Sequence, residues 1–553
     1  MDVLELKKII RGDVQNSDAI LTTYSNDASL FEVRPEVIVY PKDTKDIQSL
    51  VQYVSDHKKN EATLSITMRA AGTCMSGGSI NESIIVDTTK YMNKIITVND
   101  KFGVAQPGVY YRDFEKQTLA KGSIMPSYTA SKSINALGGM VGNNSGGEKS
   151  IKYGKVENYV RSQKVIFSDG NEYDVRPLNK VELDQKMAQG DFEGNVYKQL
   201  FELIENNYEL IKKAKPQVTK NSAGYYLWNV WNRETGIFDL NRLIVGSQGT
   251  LALTTEITFG LVPVPKFSKM VVVYMNTIEK LGDVVDEVMK YEPESFESYD
   301  DYSMKLAIKF AGDFFKTLGF FGAIKLGLQF IPDILKVITG GVPKLILMAE
   351  VTGENEHEVS SRAHAIKEAL QPFGYSTHIA QSKAEVEKYW KIRRESFNLL
   401  RNRVKGKRTA PFIDDIIVNP HKMPEFLPKL QAILGEYDLI YTIAGHAGNG
   451  NFHIIPLMDL EAPIASDIIL ELSKKVYRLV TEFGGSITAE HNDGIIRTPF
   501  LSYMYSPEII ELFEKTKKIF DPQNIFNPGK KVGGSFEYIT SHLIKNHHQS
   551  HGS

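Results

Sequence analysis

The stretch Arg69-Ala70-Ala71-Gly72-Thr73-Cys74-Met75-Ser76-Gly77-Gly78 decides the fold, because it follows an apolar segment of strand character and consists almost wholly of small residues. Small side chains let backbone N–H groups approach an anion closely, and Thr73 and Ser76 add hydroxyl donors. The spacing is neither GxGxxG nor GxxxxGK(S/T), so neither a Rossmann turn nor a P-loop is expected. Two further stretches repeat the chemistry: Gly138-Gly139-Met140-Val141-Gly142-Asn143-Asn144-Ser145-Gly146-Gly147 and Gly246-Ser247-Gln248-Gly249-Thr250-Leu251. Any one of them reads as a tight turn. Three in one half of the chain read as the cradle of a single extended, phosphate-containing ligand.

Around these loops the pattern is α+β. Val37-Ile38-Val39-Tyr40 reads as a strand, followed by Pro41 and an amphipathic helix from near Thr44. Residues 64–88 give strand, loop and a second apolar strand ending at Asp87; 180–215 look helical and polar; 243–262 give two strands around the third loop. After Pro263-Val264-Pro265 the pattern changes. A strand at 270–275, a helix over 277–290 and apolar strands near 345–351 and 439–444 predict a second α+β domain with an antiparallel sheet. The expected division is 1–265, a ligand-binding domain; 266–480, a second domain; 481–535, a C-terminal segment completing the site; and 536–553, a flexible tail.

A chain of 553 residues with 42% hydrophobic and 24% charged residues has room for two or three domains with real cores. A net charge of −2 argues against nucleic acid as the main partner. Cys74 is the one cysteine, which excludes an internal disulfide, cysteine-based zinc sites and any Fe–S cluster held by this chain alone, and fits a reducing compartment such as the cytoplasm. The charged start Met1-Asp2-Val3-Leu4-Glu5 does not read as a signal peptide. The most apolar region, 310–351, is interrupted by Lys316, Lys325, Asp333, Lys336 and Lys344. No transmembrane helix is predicted there; buried helices and a strand are expected, with peripheral contact at the inner face of a membrane as the alternative.

The second informative stretch is His446-Ala447-Gly448-Asn449-Gly450-Asn451-Phe452-His453. Asn-Gly is a strong signal for a two-residue type I′ hairpin turn. Centred there, it pairs 446 with 453 and sets both histidines opposite each other on one face. Glu490, in Ala489-Glu490-His491-Asn492-Asp493-Gly494, could complete a two-histidine, one-carboxylate metal site, leaving His491, near its ordinary pKa of about 6.5, free as acid or base. The plainer reading of each histidine is a loop residue beside a glycine turn.

These motifs together carry a resemblance. The three small-residue loops resemble the flavin-contacting segments of FAD-binding oxidoreductases related to vanillyl-alcohol oxidase. The His446–His453 segment is similar to the His-x-Gly-Asp/Asn-Gly-Asn-x-His motif of their D-2-hydroxyacid dehydrogenase branch, which holds D-lactate dehydrogenases, the glycolate oxidase flavin subunit and D-2-hydroxyglutarate dehydrogenases. Glu490-His491, Asn527-Pro528-Gly529-Lys530 and Lys220-Asn221-Ser222-Ala223-Gly224-Tyr225 also match that branch. The resemblance implies a two-subdomain FAD-binding domain, a substrate (cap) domain and a C-terminal segment returning to the flavin. It implies noncovalent FAD held by Ala71, Gly72, Thr73, Cys74, Ser76, Gly77, Gly78, Ser127, Gly138, Gly139, Gly142, Asn144, Ser145, Gly146, Gly249, Thr250 and Asn527. It implies a divalent metal (Zn first, Mn or Fe also suited) at His446, His453 and Glu490, a base at His491, and Arg393 holding the substrate carboxylate.

The implied activity is oxidation of a D-2-hydroxy acid to the 2-keto acid. The implied electron acceptor is not NAD but a quinone, a cytochrome, an electron-transferring flavoprotein or a separate Fe–S subunit. Two departures refine this. Glu490-His491-Asn492-Asp493-Gly494 replaces Glu-His-Gly-x-Gly, as in larger relatives fused to a C-terminal Fe–S domain, for which this chain has no cysteines. No lysine near Thr409–Asp415 corresponds to the one that holds a second substrate carboxylate, which ranks D-lactate above D-2-hydroxyglutarate. The rival readings are a flavin subunit that needs a separate Fe–S partner for turnover, and a transferase like the alkylglycerone-phosphate synthases, whose contiguous histidine run is not found here.

Overall fold

The structure is a computed structural model that describes residues 1–301, 343–403 and 406–544. The apolar expectations for 302–342 lie outside the described residues. Among the described residues no helix is long and apolar enough to cross a membrane.

The first domain has two sheets. Val37–Tyr40 and Ile66–Arg69 both pair in parallel with Ile84–Asp87, and Asp13–Gln15 adds antiparallel at the edge. The continuous apolar runs Val-Ile-Val-Tyr and Ile-Ile-Val-Asp are buried along their whole length, as strands covered on both faces require. The helix Thr44–His57 packs Ile47, Leu50, Val51 and Val54, one 3.6-residue stripe, onto that sheet. Asp43 caps it by accepting from the Lys45 amide, worth about 1 kcal/mol. The second sheet is five-stranded and antiparallel, in the order Ile95–Val98, Phe102–Ala105, Leu253–Gly260, Val160–Ile166, Glu172–Val175.

The second domain is built on a seven-stranded antiparallel sheet, Ser376–Ile379, Phe267–Met275, Leu345–Gly353, Ser295–Asp300, Ile443–His446, Asn451–Ile454, Ile416–Ile417. Its two faces follow the period of two along each strand. Val271, Val273 and Met275 join the core that holds the helices Leu281–Met289 and Glu356–Ala369. Met270, Val272 and Tyr274 pack instead with Tyr299, Tyr389 and Ile392, under the helix Lys383–Arg403. Glu297 lies two residues from Tyr299 and His446 two from Ala444, so both project on this second face, where Arg393 also stands.

The chain then returns. Ile66 donates to the Ile525 carbonyl at 2.7 Å and accepts from the Asn527 amide at 2.9 Å, so the C-terminal segment closes the free edge of the first sheet.

Three expectations need correction. The helix expected over 277–290 begins at Leu281, because residues 278–281 close a turn of their own, the Leu281 amide donating to the Ile278 carbonyl. The strand expected before the third loop is a helical turn, Asn241–Ile244, started by Asp239, which accepts from the Asn241 amide. The tail expected to be flexible from 536 docks as far as 544. The helix Phe536–Ser541 buries Ile539, Leu543 bridges Phe31, and the Glu32 amide donates to the His542 carbonyl. Residues 545–553 lie outside the described residues.

Candidate active site

A cavity of about 360 Å³ runs from the small-residue loops to the histidines. At one end it is lined by Ala71, Gly72, Thr73, Cys74, Gly78, Gly138, Gly139, Gly142, Ser145, Gly146 and Gly249; at the other by His446, His453, Glu490, His491 and Arg393. A Cβ at Gly139, Gly142 or Gly249 would meet no protein atom closer than 3.7 Å. What it would occupy is the cavity itself, so glycine is needed there to leave room. Arg69 Nη1 and Asn135 Oδ1, on residues that line the same end, are buried without a hydrogen-bond partner among the described residues. Open glycines and unpaired polar atoms fit an extended polar ligand such as FAD.

Other expected contacts are supports, not lining. Ser76 donates to the His491 carbonyl at 3.0 Å, and Gly77 stands behind the wall at φ +80°. Ser127 donates to the Gly154 carbonyl and Thr250 to the Ser247 carbonyl. Asn144 ends the helix Leu137–Asn143 in the left-handed conformation and accepts from the Glu157 amide. Asn527 donates to the carbonyls of Gly78 and Gln248, bracing the first loop against the third. Gln248, missed in the sequence, links Asn143 to the Gly494 amide.

The histidine hairpin differs from the expected one. Strand Ile443–His446 pairs with Asn451–Ile454 in the register Ala444↔His453 and His446↔Asn451. The turn is therefore a four-residue loop, 447–450, with a single left-handed residue, Gly450 at φ +72°; a Cβ there would also strike the Val418 carbonyl. The histidines are diagonal rather than opposite, yet on one face. His446 Nε2 lies 3.4 Å from His453 Nε2 and 3.5 Å from Glu490 Oε2.

Their outer nitrogens are already held. His446 Nδ1 meets Glu297 Oε1 at 2.5 Å and His453 Nδ1 meets Asp414 Oδ1 at 3.1 Å. This is the carboxylate–imidazole arrangement that orients metal-binding histidines, with both Nε2 atoms turned inward. Asp415 also lies within ligand range of His453, Glu490 and His491. Its Oδ2, however, is spent on the amides of Glu490 and His491 and the Thr488 hydroxyl, at 2.7–2.8 Å. Asp415 thus organises the segment, while His446 Nε2 faces both His453 Nε2 and Glu490 Oε2. Neither Glu297 nor Asp415 was singled out from the sequence; a carboxylate inside Ser295-Phe296-Glu297-Ser298-Tyr299 was the available signal for the first.

Charges are dense here. Burial pushes the Glu490 carboxyl up, but the Lys220 ammonium at 2.5 Å and His446 more than reverse this and hold it well below the carboxylate range. Removing one member of such a buried pair costs about 3–5 kcal/mol, because the other charge is stranded. Burial pushes His491 down, yet the Asp415 and Asp414 carboxylates outweigh it and raise its pKa to about 9. The expectation of an unperturbed His491 is therefore corrected: its ring sits 2.7 Å from Asp414 Oδ2. Arg393 pairs through Nη2 with Glu297 at 3.2 Å, while its Nε has no hydrogen-bond partner among the described residues.

The departure at 492 has a backbone reason. Asn492 adopts φ +68°, a conformation that glycine takes freely and asparagine tolerates. Its side-chain Nδ2 donates to the Asn143 and Gly246 carbonyls, stitching the Glu490–Gly494 segment to two of the small-residue loops. Lys531, fully buried, closes the far side on Asn492, Asp493 and the carbonyls of Ser222 and Gly224.

The FAD binding domain family matches residues 35–176, and the family of FAD linked oxidases, C-terminal domain, matches 264–531. The chain is 26% identical over 529 residues to a D-2-hydroxyglutarate dehydrogenase of Escherichia coli, covering 94% of this chain but 50% of that protein; it spans about half the length of that relative. It is 26% identical to a D-lactate dehydrogenase of Anaerostipes hadrus, covering 95% and 94% of the two chains. In fold it is similar to p-cresol methylhydroxylase with substrate bound, at a TM-score of 0.67, 15% identity and 96% coverage of each chain. The chain thus carries an FAD binding domain followed by the C-terminal domain of FAD linked oxidases.

Proposed function

We propose that this chain is an FAD-dependent dehydrogenase that oxidises a D-2-hydroxy acid, D-lactate first, to the 2-keto acid and passes the electrons to an acceptor other than NAD. The observation that carries the proposal is the single cavity joining the glycine-lined end to His446, His453, Glu490, His491 and Arg393. The names of the relatives support the same reaction class.

Each residue has a task. The unpaired Nε of Arg393 is a fixed donor for the substrate carboxylate. His491 takes the hydroxyl proton as the Cα–H bond breaks, and Asp414 holds its ring in place. His446, His453 and Glu490 are the donors that would hold a divalent metal, Zn first with Mn or Fe suited, which lowers the pKa of a bound hydroxyl. A dication there would also oppose Asp414 and Asp415 and bring His491 down from about 9 toward neutral pH. Noncovalent FAD supplies the hydride acceptor that side chains lack. The buried thiol of Cys74, accepting from the Gly78 amide, is raised by burial and is a poor attachment point.

The alternative substrate is D-2-hydroxyglutarate, and the alternative role is a flavin subunit turning over only with a separate Fe–S partner. The single cysteine fits the cytoplasm, with the acceptor a quinone, cytochrome, electron-transferring flavoprotein or such a partner.

Anaerobic mixing with D- and L-2-hydroxy acids, following bleaching of the flavin band, tests this. Bleaching by D-lactate and not L-lactate is expected. Bleaching by D-2-hydroxyglutarate alone reverses the substrate ranking, and no bleaching by any acid with FAD and metal present overturns the reaction class.

A further inference from the structure

Glu490 is the acid among the three proposed donors, and one of its two oxygens is already taken. Lys220, its side chain 1% exposed, donates from Nζ to Glu490 Oε1 at 2.5 Å and to Asn451 Oδ1 at 3.0 Å. Asn451 donates in turn to Asp415 Oδ1 at 3.2 Å and to the Ile416 carbonyl at 3.1 Å. Asp415, in the left-handed conformation at φ +67°, fixes the Glu490 amide at 2.8 Å. Head and backbone of Glu490 are thus both anchored, and Oε2 is left facing His446 Nε2 at 3.5 Å. Lys220 does not line the cavity, so it touches neither substrate nor cofactor.

We propose that Lys220 is a positioning residue that confines Glu490 to one-oxygen coordination of the bound cation and, by its own charge, lowers cation affinity while raising Lewis acidity. The proposal rests on the metal reading above. A buried ammonium beside a divalent cation is a like charge at short range in a medium that screens poorly. It repels the cation and draws electron density from the carboxylate, and it blocks the second oxygen. A plain structural ion pair predicts the opposite sign: without it the donors loosen and cation binding weakens.

The test uses the full chain with FAD bound, stripped of metal and titrated with Co(II). It is followed by calorimetry and by difference absorption to the red of the flavin band. Lys220→Met should bind Co(II) at least about tenfold more tightly than wild type. Its cobalt absorption should also weaken, as the freed Oε1 raises the coordination number. Lys220→Gln removes the charge but keeps a donor to Oε1, so it should bind more tightly with a wild-type cobalt spectrum. It also carries the affinity arm if Lys220→Met does not fold without metal. Weaker binding by both variants, or an unchanged spectrum in Lys220→Met, overturns the role of Lys220. A wild-type chain that takes up no Co(II) overturns the metal reading itself, which separates the two failures.

Discussion

The two ends of the cavity work by different physics. The glycine-lined end presents backbone and empty space: Gly139, Gly142 and Gly249 matter for the side chains they lack. The histidine end presents charge: three imidazoles, Glu490 and Arg393, backed by Lys220, Glu297, Asp414 and Asp415, each held by another. The first spreads its interactions over many small contacts, whereas the second concentrates them in a few atoms. Single side-chain changes should therefore be tolerated at the first end unless they add atoms, and should be severe at the second.

The largest expected effect is at the charged end. His491→Ala should retain FAD and slow flavin reduction by substrate about 10²–10⁴-fold in stopped-flow absorbance; unchanged kinetics would remove His491 as the base. His446→Ala should lose bound metal, read by elemental analysis, and at least about 100-fold in turnover with a dye acceptor; full activity without metal would sink the metal site. At the glycine end the effect must come from addition. Gly142→Leu fills the cavity and should leave a folded chain with little FAD, measured by the ratio of flavin to protein absorbance. Normal FAD content there would break the contrast between the two ends.

A smaller effect concerns pH. His491 in the folded chain titrates near 9, above the unfolded value of about 6.5, so its bound proton stabilises the fold. That contribution is complete below pH 6.5 and is lost as pH rises through 9. His446 is raised too: burial lowers it, but Glu297 outweighs burial. The metal-free chain should thus lose thermal stability from pH 6.5 to 9, and His491→Gln should flatten that fall. The smallest effect is Ser127→Ala, which loses one support behind the wall: about 1 kcal/mol of stability and no change in FAD affinity.

The glycine-lined end was largely legible in the sequence, because its signal is local: runs of small residues that no helix or strand would favour. Which of those residues face the cavity was not, since Ser76 and Asn527 act through partners more than 400 residues away along the chain. The histidines and Glu490 were legible as a motif, but their register was not. Asn449-Gly450 suggests a two-residue turn, whereas the chain closes over four residues with only Gly450 left-handed. Glu297 and Lys220 lie 149 and 270 residues from the groups they hold, a separation at which no periodicity speaks. The expected tail failed for the same reason: 536–544 is ordered by Leu30 and Phe31, not by its own composition.

The brace formed by Asn527 sets an order of events in synthesis. It joins the first small-residue loop to a segment 449 residues later. A chain emerging from the ribosome therefore exposes the Gly78 and Gln248 carbonyls, and the open edge at Ile66, long before their partners exist. The first and third small-residue loops are braced against each other only once that late segment docks, so the finished cavity wall is a late product of folding.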